Sequence, residues 1–198
     1  DPYNPAPFVL PRTLLRIVAE GGEVDSGYLG FEHCTIPPHI GALEGITRVD
    51  LSAWCCTGQS LPEVMQLLLP LAAKLTKLSL RDCALGGLLP HNDVWCQFVS
   101  LNDLDLTHTQ FTTGKKPSDL PLALLCIQLA GGSVRFGELE EGAKLTLPAS
   151  IGNLKDVVSL DLSEFKLVGP CLSEAMQMLL PLGNTVKILH LSACTLRG

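Results

Sequence analysis

Residues 35 to 87 read TIPPHIGALEGITRVDLSAWCCTGQSLPEVMQLLLPLAAKLTKLSLRDCALGG, and residues 146 to 198 read TLPASIGNLKDVVSLDLSEFKLVGPCLSEAMQMLLPLGNTVKILHLSACTLRG. The two stretches align without a gap at an offset of 111, with 22 of 53 positions identical. Further upstream, LPRTLLRIVAEGG at 10–22 matches LPLALLCIQLAGG at 120–132 at an offset of 110, so one residue was gained between Gly132 and Thr146. Duplication of a whole block is the signature of a stacked array, in which each unit has an apolar face that only its neighbour covers. The chain is read as a single solenoid over 1–198, made of tandem superrepeats 1–110 and 111–198, the second incomplete.

A shorter pattern, L-x-x-L-x-L, recurs inside each block, its last two leucines alternating with polar residues as a strand with one buried side requires. It reads ITRVDLS at 46–52, LTKLSLR at 75–81, LNDLDLT at 101–107, VVSLDLS at 157–163 and VKILHLS at 186–192. Weaker copies around Leu15 to Ile17 and Leu125 to Ile127 are expected to be strands too. With Ile17, Leu51, Leu80, Leu106, Ile127, Leu162 and Leu191 as markers, the spacings are 34, 29, 26, 21, 35 and 29 residues. Between strands, PEVMQLLLPLAAK at 62–74 and SEAMQMLLPLGNT at 173–185 have apolar residues at helical spacing and an early acidic residue. Each predicts one short helix that ends or kinks near Pro70 or Pro181. The I-P-P and L-P-A segments predict extended chain or short 3-10 turns.

On these motifs the sequence resembles the leucine-rich repeat family across nearly its whole length. IPPHIGALEGITRVDLS and LPASIGNLKDVVSLDLS resemble the plant-type repeat, whereas LPEVMQLLLPLAAKLTKLSLRDCALGG and its copy resemble the ribonuclease-inhibitor type. The resemblance implies an α/β repeat fold, a leucine-rich repeat solenoid with a parallel concave sheet and mixed helical and extended convex segments. It also implies an inward ladder of Asn or Cys side chains that satisfies turn backbone groups. Cys83 and Cys194 keep that ladder, while Trp54, Thr109, Ala130 and Phe165 stand at the corresponding positions and leave it incomplete.

Strand side chains that do not enter the core would line the concave face. These are Arg16, Val18, Arg48, Asp50, Ser52, Lys77, Ser79, Arg81, Asp103, Asp105, Thr107, Ser159, Asp161, Ser163, His190 and Ser192. The ribbon is polar with an acidic centre, which suits a protein or peptide partner bearing basic groups. Asp and Ser are equally what a wetted strand face and the D-L-S framework demand.

Catalysis finds little support. Asp103, Asp105 and His108 lie within six residues, and a general base needs an orienting partner, but His108 falls in a turn with no nucleophile placed beside it. Metal, phosphate-loop and nucleophile-elbow motifs are absent from the sequence, so no catalytic residue, cofactor or metal is assigned. Trp54 and Phe165, at equivalent positions, read as core fillers; Trp95 has no copy to compare.

A net charge of −6 and a pI near 5.3 without a basic cluster argue against nucleic acid. No apolar run approaches the roughly 20 residues of a membrane-spanning helix, so the chain reads as soluble. Of the eight cysteines, Cys34 aligns with Leu145, Cys56 with Leu167, Cys55 with Lys166, Cys126 with Arg16 and Cys171 with Ser60. Exchange with leucine marks small buried hydrophobes. No pair is reproduced as a pair, so free thiols are expected, which favours a reducing compartment; a secreted or surface location stays open. The start, DPYNPAPFVLPRTLL, has no initiator Met and no signal-peptide pattern, and reads as a chain whose beginning is missing or processed. There is no N-x-S/T site. Neither end carries a capping unit, so the expectation is a longer array or ends that stack on another subunit. The functions that follow are a protein-interaction scaffold using the concave face, a repeat segment of a filament or large assembly, or an extracellular recognition domain.

Overall fold

A computed structural model describes residues 8–9, 11–19, 34–52, 56–112, 118–139, 144–165, 167–168, 172–192 and 194–195. In chain order they form β1 (Phe8–Val9), α1 (Arg12–Ala19), β2 (Cys34–Thr35), β3 (Arg48–Asp50), β4 (Thr57–Ser60), α2 (Leu61–Leu68), β5 (Lys77–Ser79) and β6 (Ala84–Gly86). There follow α3 (Asn92–Trp95), β7 (Asp103–Asp105), β8 (Gln110–Phe111), β9 (Ser118–Asp119), α4 (Leu122–Leu129), β10 (Ser133–Arg135) and β11 (Glu138–Leu139). β12 (Leu145–Thr146), β13 (Ser159–Asp161), α5 (Leu172–Leu179) and β14 (Ile188–His190) complete the series. The architecture is mixed α/β, with short parallel strands in small sheets.

Strands β3, β5, β7 and β10 form one sheet in that order, and β13 pairs with β14. Their central residues, Val49, Leu78, Leu104, Val134, Leu160 and Leu189, follow one another at 29, 26, 30, 26 and 29 residues. Two-stranded ladders join β1 to β2, β4 to β6, β8 to β11 and β9 to β12, and all these pairs are parallel. A parallel partner can be reached only through a crossover, so each short strand must be followed by a full connecting segment. The first five central residues are buried, which fixes register because a one-residue slip would expose them all.

Two kinds of crossover match the sequence. Helix α2 starts with a capping box: the Ser60 N–H donates to Glu63 Oε2 at 2.8 Å and the Glu63 N–H to Ser60 Oγ at 3.4 Å. It ends at Leu68 and tightens into a 3-10 turn over Leu69–Leu71 that contains Pro70; α5 and Leu180–Leu182 repeat this around Pro181. The proline-led segments form 3-10 turns at Pro38–Ala42 and Ala149–Asn153, as expected. The two kinds meet where Gly41 faces Pro70: a Cβ at Gly41 would lie 2.7 Å from Pro70 Cγ and 3.0 Å from the Leu67 carbonyl oxygen. Gly152 faces Pro181 in the same way. The shared glycine and shared proline are thus two sides of one contact between successive segments.

Hydrogen bonds from side chains also tie each unit to the one before. Cys83 Sγ donates to the Leu51 carbonyl at 3.5 Å, Thr109 Oγ1 to Leu80 at 2.9 Å and Cys194 Sγ to Leu162 at 3.4 Å. Thr109, expected to leave a gap, fulfils the same task because its hydroxyl donates as the thiol does. Phe165 is fully buried as expected and stacks edge-on with Phe136 at 5.3 Å, which meets Phe111 at 4.7 Å. Trp54 lies outside the described residues. Trp95 is a core residue, 2% exposed, with its indole N–H donated to the Pro90 carbonyl at 3.1 Å.

Two expected strands are helices. Leu15 to Ile17 lies within α1 and Leu125 to Ile127 within α4. A short apolar run such as LALLCIQL satisfies both periods, and Gly131 at φ +85° ends α4 as a left-handed stop after Ala130. The strand of this unit is β10, eight residues beyond the predicted site. Ala130 therefore caps a helix and has no place in the inward ladder. Among the described residues, no helix is long and apolar enough to cross a membrane.

Candidate functional site

On the sheet β3–β5–β7–β10, side chains alternate between the core and one outer face. Arg48, Lys77, Asp103 and Ser133 stand in register there, as do Asp50, Ser79, Asp105 and Arg135. Seven of the sixteen residues expected on a binding ribbon, Arg48, Asp50, Ser52, Lys77, Arg81, Asp103 and Thr107, are exposed or half-buried on or beside this face. Ser79, at 4%, and Asp105, at 7%, are buried beneath their neighbours. Ser159, Asp161, Ser163, His190 and Ser192 belong to the separate pair β13–β14. Arg16 is exposed on helix α1 and has no strand position; the side chain of Val18 lies outside the described residues.

The D-L-S/T motif has a local cause. Asp50 Oδ1 accepts the Ser52 N–H at 3.2 Å and its hydroxyl at 2.6 Å; Asp105 Oδ1 accepts the Thr107 N–H at 3.0 Å and its hydroxyl at 2.6 Å. Asp161 Oδ1 accepts the same two groups of Ser163. Each carboxylate closes the turn that leaves its strand, an Asx-type arrangement available only to a short acceptor side chain. Hydrogen bonds from the hydroxyl and N–H of Ser163 hold the Asp161 carboxyl below its ordinary range.

The acidic centre is neutralised from within. Arg135 donates from Nε to Asp105 Oδ2 at 2.8 Å, from Nη2 to Asp103 Oδ1 at 3.0 Å and from Nη1 to Ser133 Oγ at 3.1 Å. Lys77 Nζ reaches the other oxygen of Asp103 at 3.2 Å. Desolvation opposes ionisation of Asp105, but the bonds from Thr107 and Arg135 outweigh it and lower its pKa, while the same carboxylate raises that of Arg135. Side-chain exposure is 46% for Arg135 and 52% for Arg81, against 27% for Asp103 and 10% for Asp105. Arg135 is more exposed than the carboxylates it holds, whereas Asp82 beside Arg81 is 44% exposed, so both signs of charge reach the outer surface.

Arg135 was not among the predicted site residues. Its signal is the shared pattern G-G-x-V-x-x-G-x-L, present at 21–29 and at 131–139, which marks a duplicated element outside L-x-x-L-x-L. Gly132 in that motif is obligatory, since a Cβ there would come within 2.4 Å of the Asn102 carbonyl oxygen.

No hydrogen bond joins β10 to β13 among the described residues, so the outer ladder is interrupted there. A cleft of about 430 Å³ at the interruption is bordered by Gln128, Gly131, Lys155, Asp156, Ser159 and Asp161. Among the described residues, the buried Oε1 of Gln128 has no hydrogen-bond partner. Another recess, of about 440 Å³, lies between His91–Asp93 and Ser118–Leu122. Its polar groups join neighbouring segments: Asn92 Oδ1 accepts the Ala123 N–H and Asp119 Oδ1 the Thr146 hydroxyl, both at 2.9 Å.

The candidate cluster of Asp103, Asp105 and His108 is divided among other partners. His108 Nδ1 lies 2.6 Å from Asp82 Oδ1 in the preceding turn, both residues having φ near +60°. Among the described residues, no group of three His, Cys, Asp or Glu side chains is arranged to hold a metal ion. Cys34 and Cys56 are fully buried, as are Leu145 and Leu167 at the duplicate positions, in keeping with their reading as small hydrophobes. Contact with the Cys34 and Cys83 sulfurs, together with burial, raises the Cys56 thiol and keeps it protonated. Cys126 is exposed like its counterpart Arg16, whereas Cys55 and Cys171 lie outside the described residues.

No family model matches the chain, and no curated protein matches it.

Proposed function

We propose that the chain is a leucine-rich repeat solenoid acting as a non-enzymatic scaffold for protein–protein interaction, with the outer strand face as its concave binding surface. Support for the solenoid comes from parallel strands recurring at 26 to 30 residues and from the side-chain bonds of Cys83, Thr109 and Cys194 to the preceding unit. The observation that carries the function is the ordered row Lys77–Asp103–Arg135–Asp105. Side chains already fixed by one another lose little freedom on binding, and a fixed charge pattern selects partners more than it tightens them. Because Arg48, Arg81 and Arg135 are exposed on or beside this face, the fitting partner is a protein or peptide whose contacting surface carries carboxylates.

The test is site-specific photo-crosslinking in the native cell extract from Ser159, beside the face, and from Val99, exposed at 76% in a turn outside the strands. One dominant partner should be captured from Ser159, and the double reversal Arg48→Glu/Arg81→Glu should reduce capture by about tenfold or more. Equal capture from Val99, or capture unaffected by the reversal, would refute the concave-face reading.

A further inference from the structure

The duplication provides an internal control for the buried cysteines, and it singles out one pair. Cys34, Cys56 and Cys83 are all 0% exposed, and the Cys56 sulfur touches both of the others. They stand in a column across successive units. Thr57 pairs with Ala84 in parallel register, which places Cys56 beside Cys83 one residue earlier. On the other side, Gln59 Nε2 donates to the Ile36 carbonyl at 3.0 Å and Gln59 Oε1 accepts the Ile36 N–H at 2.7 Å, which draws β2 with Cys34 onto β4. The second block builds the same column. There the Leu145 carbonyl accepts the Val168 N–H at 2.9 Å, the Leu167 carbonyl accepts the Thr195 N–H at 2.8 Å, and Val168 pairs with Thr195 beside Cys194.

The two columns share one cysteine and differ in the other two members. The shared position, Cys83 or Cys194, donates to a carbonyl of the preceding unit, so it has a structural task in both blocks. Cys34 and Cys56 are matched by Leu145 and Leu167, both buried, so packing alone does not call for sulfur there. What the first block gains is two sulfurs in contact on adjacent strands, and the strand spacing of about 4.8 Å lies within the Cα separation that a disulfide spans. The Cys56 thiol donates to the Cys34 sulfur, which lowers the Cys34 pKa against the opposing effect of burial. The thiolate so favoured is the reactive form of cysteine.

We propose that Cys34 and Cys56 are a peroxide-reactive dithiol that closes a reversible disulfide joining β2 to the start of β4, with Cys83 left as a thiol. The oxidant is a small hydroperoxide, because sulfurs without exposed surface admit only a compact reagent. The Cys34 thiolate attacks one oxygen of hydrogen peroxide, the O–O bond breaks, and the departing hydroxide takes up the proton that Cys34 released. Cys34 is then a sulfenic acid. The Cys56 sulfur attacks the Cys34 sulfur, the S–S bond forms, the S–O bond breaks, and the hydroxyl leaves as water with the Cys56 proton. Two thiols have become one disulfide and the peroxide has been reduced to two waters. A dithiol reductant reverses the change by exchange.

The test treats the folded chain with graded hydrogen peroxide, then denatures it, alkylates the remaining thiols and maps tryptic peptides without reduction. Cleavage after Arg48 puts Cys34 and Cys56 on separate peptides. The peptide pair linked through Cys34 and Cys56 should be the main disulfide product and should vanish with dithiothreitol. The oxidised protein should melt roughly 5 °C or more above the reduced one, since the bond ties two units together. Cys34→Leu/Cys56→Leu, which installs the residues of the second block, should lose that rise, and so should Cys34→Ala, which adds no bulk. Free thiols at both Cys34 and Cys56 after the exposed Cys96 and Cys126 are fully oxidised would overturn the proposal. A main product linking Cys56 to Cys55 or to Cys83 would overturn it equally.

Discussion

Arg135 and Asp105 occupy register-matched positions on neighbouring parallel strands, with Nε 2.8 Å from Oδ2, and the same guanidinium reaches Asp103 at 3.0 Å. One arginine thereby closes two carboxylates that sequence alone presents as an open acidic patch. Cross-strand pairs of this kind add to sheet stability and set which charges remain for a partner.

Replacing Arg135 by methionine should destabilise the fold by about 1–2 kcal/mol, since it leaves the nearly buried Asp105 without its cation while the exposed arm to Asp103 contributes less. Arg135→Lys should recover only part of the loss, because an ammonium cannot bridge both carboxylates as a planar fork does. Urea unfolding midpoints of the three proteins check this; equal stability of wild type and Arg135→Met would show the pair to be energetically idle.

Acid should weaken the fold through Asp105 and Asp161. Both carboxyls are held below the ordinary 3.8. Depressed values stabilise the folded state fully above the unfolded pKa, and the contribution disappears as pH falls through the folded values. Stability should therefore be level from neutral pH down to about 5 and decline below about 4. The double variant Thr107→Ala/Ser163→Ala should be less stable at pH 7 and should approach wild type towards pH 2, because the hydroxyl hydrogen bonds, which share in depressing these values with the N–H donors and Arg135, are removed. Curves that stay parallel throughout would contradict the assignment.

Thr109→Val should cost about 0.5–1.5 kcal/mol, since the near-isosteric change removes the hydroxyl bond to the buried Leu80 carbonyl, which keeps the Cys83 N–H at 3.2 Å. Thr109→Asn, which restores a donor, should retain more stability than the valine variant if the cavity accepts the longer side chain. Thermal unfolding of both variants provides the comparison, and a neutral Thr109→Val result would remove the bond from the list of forces joining the units.

Gly41→Ala should lower stability by about 1–3 kcal/mol by forcing Pro70 and the Leu67 carbonyl away. Coupled with Pro70→Ala, which clears part of the space, the loss should fall below the sum of the two single effects. Additive losses in a double-mutant cycle would place the origin of the strain elsewhere.

The strands were legible wherever a leucine or valine alternates with a polar residue. β3, β5, β7, β13 and β14 all fall on the L-x-x-L-x-L segments, and α2 and α5 end where their shared proline predicts. The unit after residue 118 was misread. LALLCIQL satisfies two periods at once, and only the positive φ of Gly131 and the close approach of Gly132 to Asn102 decide that the strand lies beyond it.

The sequence by itself determined the duplication, the parallel strand positions and the two kinds of crossover, because these depend on local periodicity, capping and proline geometry. Only the tertiary structure decided how the charges combine. Asp103 and Arg135 are 32 residues apart, and their contact exists because β7 and β10 are neighbours in register. It also decided that Leu61 and Leu172, identical in type and in place within their blocks, differ in exposure, since burial belongs to the neighbouring segment and not to the residue.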